Sequence, residues 1–258
     1  MSLTFIDRPS PNYDARTRSI DLVVLHYTGM QDAETALRRL TDGAPTAGNY
    51  PGPWQPPSAL PDSPLPRVSA HYMVDEKGAL YRLVPEENRA WHAGASSWEG
   101  EGDVNSRAIG IEIVNGGHDF GLPDYPDAQI EGVIALLADI LDRWALTRAR
   151  VVAHSDIAPE RKHDPGEKFP WKRLAEAGVS IWPNSALVAA EASDPLVALQ
   201  ERLAAIGYDV KASGQFDELT RAAIGAFQRR FRPANISGVA DAETMAIAAA
   251  LSLQLRST

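Results

Sequence analysis

The sequence predicts an α/β layer architecture over its first 180 or so residues, followed by a small three-helix bundle. Three observations predict it. Apolar β-rich runs alternate with helical periodicity from Asp21 to Ala153, the interleaving that builds layers of helix on sheet. From Ile181-Trp182-Pro183 to Ser193 an Ala-rich stretch interrupts that alternation and reads as a linker. Beyond it, helical segments open near Asp194, Asp217 and Asp241, which makes a bundle of about 60 residues, near the lower size limit for an independent domain. The expected division is therefore residues 1–182, a linker over 183–193, and residues 194–258.

In order, Asp21-Leu22-Val23-Val24-Leu25-His26 is an apolar strand ending in a histidine, with the turn residues Thr28-Gly29 after it. Asp32 caps a short helix that places Ala33, Ala36, Leu37 and Leu40 on one face and closes at Gly43. Between Pro45 and Pro66 there are eight prolines, so neither helix nor strand persists, and a loop of this length inside a domain suits a substrate wall. Ser69–Asp75 and Ala79–Val84 flank Glu76-Lys77-Gly78 as a hairpin. Trp91 and Trp98 sit in the small-residue loop that follows, either facing a sugar ring or anchoring the loop to the core. Ala108–Asn115 is a strand with Glu112 in its middle. The longest helix starts at Pro126-Asp127, with Ile130, Val133, Ile134, Leu137, Ile140, Leu141 and Trp144 along one wide apolar face. Val151-Val152-Ala153 then leads into His154.

Composition narrows the function classes. A formal net charge of −9 argues against a nucleic-acid backbone as partner. No cysteine is present, so any metal must be held by His, Asp or Glu. No run approaches the length of a membrane span. The N-terminus lacks the basic start and apolar core of a secretory signal; a cytoplasmic protein is expected if Met1 is the native start, and an envelope or periplasmic one if the chain is trimmed.

His26 and His154 each end an apolar strand, and the Pro- and charge-rich loop Ser155–Gly166 follows the second. Neighbouring strands would bring the two imidazoles together. Two histidines and a carboxylate are a familiar zinc set, with a fourth position left for water. Asp156, His163 and Asp164 are all candidates for the third ligand, and spacing does not choose among them. Glu112, a carboxylate within an apolar strand, either faces solvent on one side of the sheet or has a specific partner. Beside a metal it is suited to take a proton, and Lys162 to balance charge on a tetrahedral intermediate.

Taken together, Leu25-His26-Tyr27-Thr28-Gly29, Ser69-Ala70-His71-Tyr72, Trp91-His92-Ala93-Gly94, Ile109-Gly110-Ile111-Glu112, and His154-Ser155-Asp156 through Lys162-His163-Asp164-Pro165-Gly166 resemble the zinc-dependent N-acetylmuramoyl-L-alanine amidases of the second amidase family. That family is related in fold to phage T7 lysozyme and to peptidoglycan recognition proteins. The ordered motifs span about residues 20–172. The resemblance implies a central mixed β-sheet flanked by helices. It implies His26, His154 and Asp164 as zinc ligands, Glu112 as base and Lys162 as oxyanion stabiliser, and it leaves His163 out of the metal shell.

The C-terminal segment is similar to the three-helix peptidoglycan-binding module in Leu199-Gln200, Ile206-Gly207-Tyr208, Gly214-Gln215-Phe216-Asp217, Phe227-Gln228 and Gly238-Val239-Ala240-Asp241. The expected activity is hydrolysis of the bond between the lactyl group of N-acetylmuramic acid and L-alanine, in wall polymer or soluble anhydro-muropeptides, by a monomeric enzyme. A non-catalytic peptidoglycan sensor and a phage-type endolysin are the alternatives.

Overall fold

The computed structural model describes residues 3–50, 60–184 and 194–256. Residues 51–59 of the proline-rich loop, and 185–193 of the expected linker, lie outside the described residues. The chain divides into two compact units, residues 1–94 with 105–146, and residues 95–104 with 147–258.

The first unit carries strands β1 (Phe5–Asp7), β2 (Tyr13–Ala15), β3 (Leu22–Tyr27), β4 (Tyr72–Val74), β5 (Leu80–Arg82), β6 (Asn88–Ala90) and β7 (Ala108–Ile113). Within it the main sheet runs β1-β5-β4-β7-β3. β4 and β5 are antiparallel, whereas the β1–β5, β4–β7 and β7–β3 pairs are parallel. The sheet is thus mixed, as the resemblance implied. β3 and β7 are its most apolar strands, buried except at Tyr27 and Glu112. Continuous aliphatic runs of this kind are what parallel strands covered on both faces require. The sequence shows no sign of the short antiparallel pair β2–β6, which has too few apolar residues to register as strand.

Helix α1 (Ala33–Thr41) starts where the Asp32 side chain accepts the Thr35 amide at 2.7 Å. It ends at Asp42, one residue before the expected Gly43. Its Ala36, Leu37 and Leu40 pack on Met73, Leu83 and Val114. Because Met73 pairs with Glu112 and Glu112 with His26, these three side chains share one sheet face, and α1 covers that face. Tyr72 points the other way, its hydroxyl donating to Glu86 at 2.8 Å.

On that opposite face lies α3 (Asp127–Arg143), burying Ile130, Val133, Leu136, Leu137 and Ile140. Buried Gln129 ties it to the sheet by donating to the Val74 and Val114 carbonyls. The hairpin turn meets the helix so closely that a Cβ on Gly132 would lie 2.7 Å from the Gly78 carbonyl oxygen. Trp144 departs from its expected core position. It stands one residue past the helix end, 37% exposed, where its indole N–H donates to Glu86 at 2.8 Å. The polar handle of the ring decides the matter: burying it without a partner would cost more than the apolar contact returns.

The second unit holds β8 (Val151–Ala153), the single-turn helix α4 (His154–Ile157), α5 (Trp171–Glu176), and the C-terminal helices α6 (Pro195–Ile206), α7 (Glu218–Phe231) and α8 (Ala242–Arg256). A further short helix, α2 (Val104–Arg107), precedes β7. Asp194 caps α6 through the Leu196 and Val197 amides, and Gly207 ends it at φ +131°.

The helices repeat one device twice. Gln200 of α6 accepts the Gly214 amide and donates to the Gln215 carbonyl and the Thr220 hydroxyl. Gln228 of α7 accepts the Gly238 amide and donates to the Val239 carbonyl and the Thr244 hydroxyl. Asp217 and Asp241 cap the two following helices through Thr220 and Thr244. Each loop closes with the same pattern, Ser213-Gly214 to Asp217 and Ser237-Gly238 to Asp241, so one local device is used twice in the bundle. Trp98 anchors its loop in the core of this unit, 3% exposed and with its ring 5.3 Å from that of Tyr208. Trp91 is half-buried beneath the Arg67 guanidinium, 4.9 Å from its ring centre.

Candidate active site

His26 is the fifth residue of β3 and is 1% exposed. Its Nε2 faces Nδ1 of His92 at 3.0 Å. One of these nitrogens must carry the proton and the other accept it, so this contact fixes which way the His26 ring turns. His92 is itself held by its surroundings. Its amide and that of Ala93 both donate to the Asn105 side chain, and its ring lies so close to Gly110 that a Cβ there would fall 2.5 Å from it.

Behind His92 stands His71, fully buried, with Nδ1 accepting the Gly110 amide at 3.0 Å. Its Nε2 lies 3.1 Å from the Asn88 carbonyl and 2.9 Å from Nη2 of Arg16. Burial, reinforced by the Arg16 charge, pulls His71 down to about 4, so it is neutral near pH 7.

Glu112 occupies the β7 position directly beside His26 in register. It is half-buried on the face covered by α1. From that helix Arg39, 6% exposed, brings a guanidinium whose charge is felt with that of Glu112. Burial lowers the Arg39 pKa, while Tyr50, Asp42 and Glu112 pull it back up. The Glu112 carboxylate thus stands beside His26 and within reach of the charge of a buried guanidinium.

His154 opens α4 instead of closing the strand, which stops at Ala153. Its Nδ1 lies 3.0 Å from Oδ2 of Asp164, and the Ser155 amide donates to the Asp164 carbonyl at 3.0 Å. Arg161 reaches back as well, its Nη2 being 3.5 Å from His154 Nε2 and its Nε donating to the Ala95 carbonyl.

Asp156, one of the three third-ligand candidates, is 0% exposed and is committed elsewhere. It accepts the Ala153 amide, the Tyr208 hydroxyl and the Arg230 guanidinium. Burial and the facing Asp156 carboxylate hold the Tyr208 hydroxyl well above its ordinary range, so it stays a donor. His163 is exposed. Lys162 is half-buried in the turn between α4 and Asp164, where its amide donates to the Ala158 carbonyl at 3.0 Å.

Among the described residues, His26, His154 and Asp164 form a group able to hold a metal ion, each offering a ligand atom within 4.8 Å of the others. All three are buried. Zinc with ligand bonds of about 2.0–2.2 Å in a tetrahedron spaces its ligand atoms by roughly 3.4 Å. Two imidazoles and a carboxylate suit zinc in donor chemistry, and a separation bounded by 4.8 Å admits that spacing.

Sequence reasoning did not give roles to His92, Arg39, Arg161, Tyr208 or Arg230. His92 lay in a quoted motif and could have been singled out as a partner for a metal-binding imidazole. Tyr208 also lay in a quoted motif, that of the C-terminal segment; Arg39, Arg161 and Arg230 carry no local signal.

The family model for N-acetylmuramoyl-L-alanine amidase matches residues 16–167, and that for a peptidoglycan binding domain matches residues 193–247. The chain is 38% identical to the N-acetylmuramoyl-L-alanine amidase AmiD of Escherichia coli, over 90% of this chain and 82% of that one. It is 33% identical to the 1,6-anhydro-N-acetylmuramyl-L-alanine amidase AmpD of Citrobacter freundii, over 64% of this chain and 86% of that one. Among solved structures, AmiD in complex with its substrate anhydro-N-acetylmuramic acid-L-Ala-D-gamma-Glu-L-Lys superimposes with a TM-score of 0.73, covering 93% of this chain and 92% of the other at 37% identity. AmpDh3 of Pseudomonas aeruginosa in complex with anhydromuramic pentapeptide gives 0.75 over 92% and 93% at 34% identity.

Proposed function

This chain belongs to the N-acetylmuramoyl-L-alanine amidase family, and from that premise we propose how its residues carry the reaction. It hydrolyses the amide between the lactyl group of N-acetylmuramic acid and the L-alanine of the stem peptide. The observation that carries this reading is the buried group of His26, His154 and Asp164, with Glu112 in register beside His26.

His26, His154 and Asp164 hold zinc. Zinc bound at such a site supplies a Lewis acid that polarises a carbonyl and makes water acidic near pH 7. Glu112 takes a proton from the attacking water and returns it to the nitrogen of the departing L-alanine, and the second water proton follows to the same nitrogen, so the amide and one water become a carboxylate and an ammonium group. The Lys162 ammonium balances negative charge on the lactyl carbonyl oxygen as the carbon becomes tetrahedral. His92 keeps the His26 ring oriented, as a second partner of a metal-binding imidazole does.

Replacing Glu112 with Gln keeps the size of the side chain and removes its basicity. Release of stem peptide should fall by about 10²–10⁴-fold while bound zinc, measured by elemental analysis, stays at the wild-type level. Undiminished turnover would remove Glu112 from this role, and folded wild-type protein without zinc or turnover would favour a sensor.

The region matching a peptidoglycan binding domain supports action on wall polymer, because attachment raises the local concentration of insoluble glycan around the site. Such a substrate lies in the cell envelope. Among the described residues no helix is long and apolar enough to cross a membrane. Intact sacculi and soluble 1,6-anhydro-muropeptide, given side by side to the full chain, separate a polymer-acting enzyme from one confined to soluble fragments.

A further inference from the structure

Asp156 is the least explained member of the loop that follows β8. It is a fully buried carboxylate two residues from His154 and does not point its oxygens at the metal-binding group. One oxygen, Oδ2, accepts the Ala153 amide at 2.9 Å and Nη1 of Arg230 at 2.6 Å. The other accepts the Tyr208 hydroxyl at 2.6 Å. Arg230 spreads its fork over the same turn, giving Nη2 to the Val151 carbonyl at 2.8 Å. Its guanidinium is stacked 4.2 Å from the Trp171 ring centre and is 2% exposed. Tyr208, equally buried, is wedged by the rings of Trp98 and Phe227 at 5.3 and 6.1 Å.

The contacts bracket His154. Arg230 grips the backbone at Val151 and the carboxylate at Asp156, while Asp156 grips the amide at Ala153. Between those points the backbone turns from strand into α4, and the orientation of that turn sets where the His154 ring goes. The same turn places Asp164, whose carbonyl accepts the Ser155 amide. A buried ion pair is a poor source of net stability, because desolvation offsets most of the attraction. What it does well is fix one geometry, since a guanidinium fork bonded at two points tolerates little movement of either.

Tyr208 follows α6, and Arg230 is the penultimate residue of α7; both fall inside the region matched to a peptidoglycan binding domain. We propose that Tyr208 and Arg230 are positioning residues for the metal-binding pair His154 and Asp164, so that the C-terminal helices form part of the frame of the catalytic centre and are more than an attachment device. The inference rests on the reading of His154 and Asp164 as ligands.

The test is the zinc dissociation constant of the full chain, by competition with a chromophoric chelator well below the unfolding temperature. Tyr208→Phe removes a single hydroxyl and retains the ring packing; Arg230→Lys retains the charge and loses the two-point grip. Zinc should dissociate about 10-fold more readily from Tyr208→Phe and up to about 100-fold from Arg230→Lys, the range seen when outer partners of metal ligands are altered. Arg221→Met, on the exposed side of α7, should leave the constant unchanged. At saturating zinc, kcat on soluble muropeptide should fall with KM unchanged.

A folded Tyr208→Phe protein with the wild-type zinc constant overturns the proposal, even if Arg230→Lys fails to fold. His154→Ala guards the premise. If it retains zinc, the ligand reading fails and the frame falls with it. If it loses zinc while Tyr208→Phe does not, only the frame fails.

Discussion

The ends of β3 and β8 look alike in sequence, since each is a run of aliphatic residues delivering a histidine, yet the two histidines are held by different physics. His26 lies within a six-residue strand laddered to β7 along its whole length. Its backbone is set by that ladder, and only the ring needs a further partner, which His92 supplies. His154 follows a three-residue strand and begins a new turn. The turn that carries it is held by side chains as well, through Asp156 with Arg230 and Tyr208 from far along the chain. A ladder spreads its hold over many weak bonds, whereas a buried charged knot concentrates it in a few. The knot should therefore fail more abruptly when one member is removed.

Breaking the knot gives the largest expected effect. Asp156→Ala strands the Arg230 guanidinium in the interior without its counter-charge, and removing one partner of a buried pair costs about 3–5 kcal/mol. Urea unfolding of the metal-free protein should show a loss of that size. A loss below about 1 kcal/mol would mean that water reaches Arg230 and that the His154 side is no more brittle than the His26 side.

Acid probes the other side. His71 supports the His92 end of the site and its folded pKa, about 4, lies below the unfolded value near 6.5. The unfolded chain thus binds the proton first as pH falls. The stabilisation is complete above about pH 6.5, declines as pH drops towards 4, and changes no further below that. At most it amounts to about 3 kcal/mol. Comparing wild type with His71→Asn between pH 7 and 4 isolates it, since carboxylates elsewhere contribute equally to both; parallel curves would remove His71 as the acid-sensitive element.

Gly110→Ala is the finest probe. The added methyl would lie 2.5 Å from the His92 ring and must push it off His26, at a cost of about 1–3 kcal/mol for overpacking. Zinc should bind more weakly than in wild type while the environment of His154, followed by imidazole NMR shifts, stays in place. If both imidazoles move together, the two supports are not separable.

Much of the scaffold was legible because it depends on local pattern. The aliphatic run 22–25 could only be a buried strand, Asp32 and Asp194 announced helix starts, and Glu76-Lys77-Gly78 announced the hairpin turn. Trp144 misled the helix reading because periodicity counts its apolar ring and overlooks the N–H that Glu86 satisfies. At the site, residue types and order pointed to a His, His, carboxylate set, and the family resemblance selected Asp164 where spacing left three candidates open. The structure adds what becomes of the others. Asp156 is surrounded by Ala153, Tyr208 and Arg230, and His163 is exposed.

What the sequence determined by itself is therefore everything that repeats at short range: strand and helix periods, caps, turns and the kinds of side chain available for chemistry. Only the tertiary structure decided which of those side chains have their hydrogen-bonding capacity already consumed. His26 meets a histidine 66 positions away, and Asp156 meets an arginine 74 positions away. A buried polar atom must find some partner, but nothing in the local pattern says which one, because that choice is made by chain folding that brings distant backbone segments within about 3 Å.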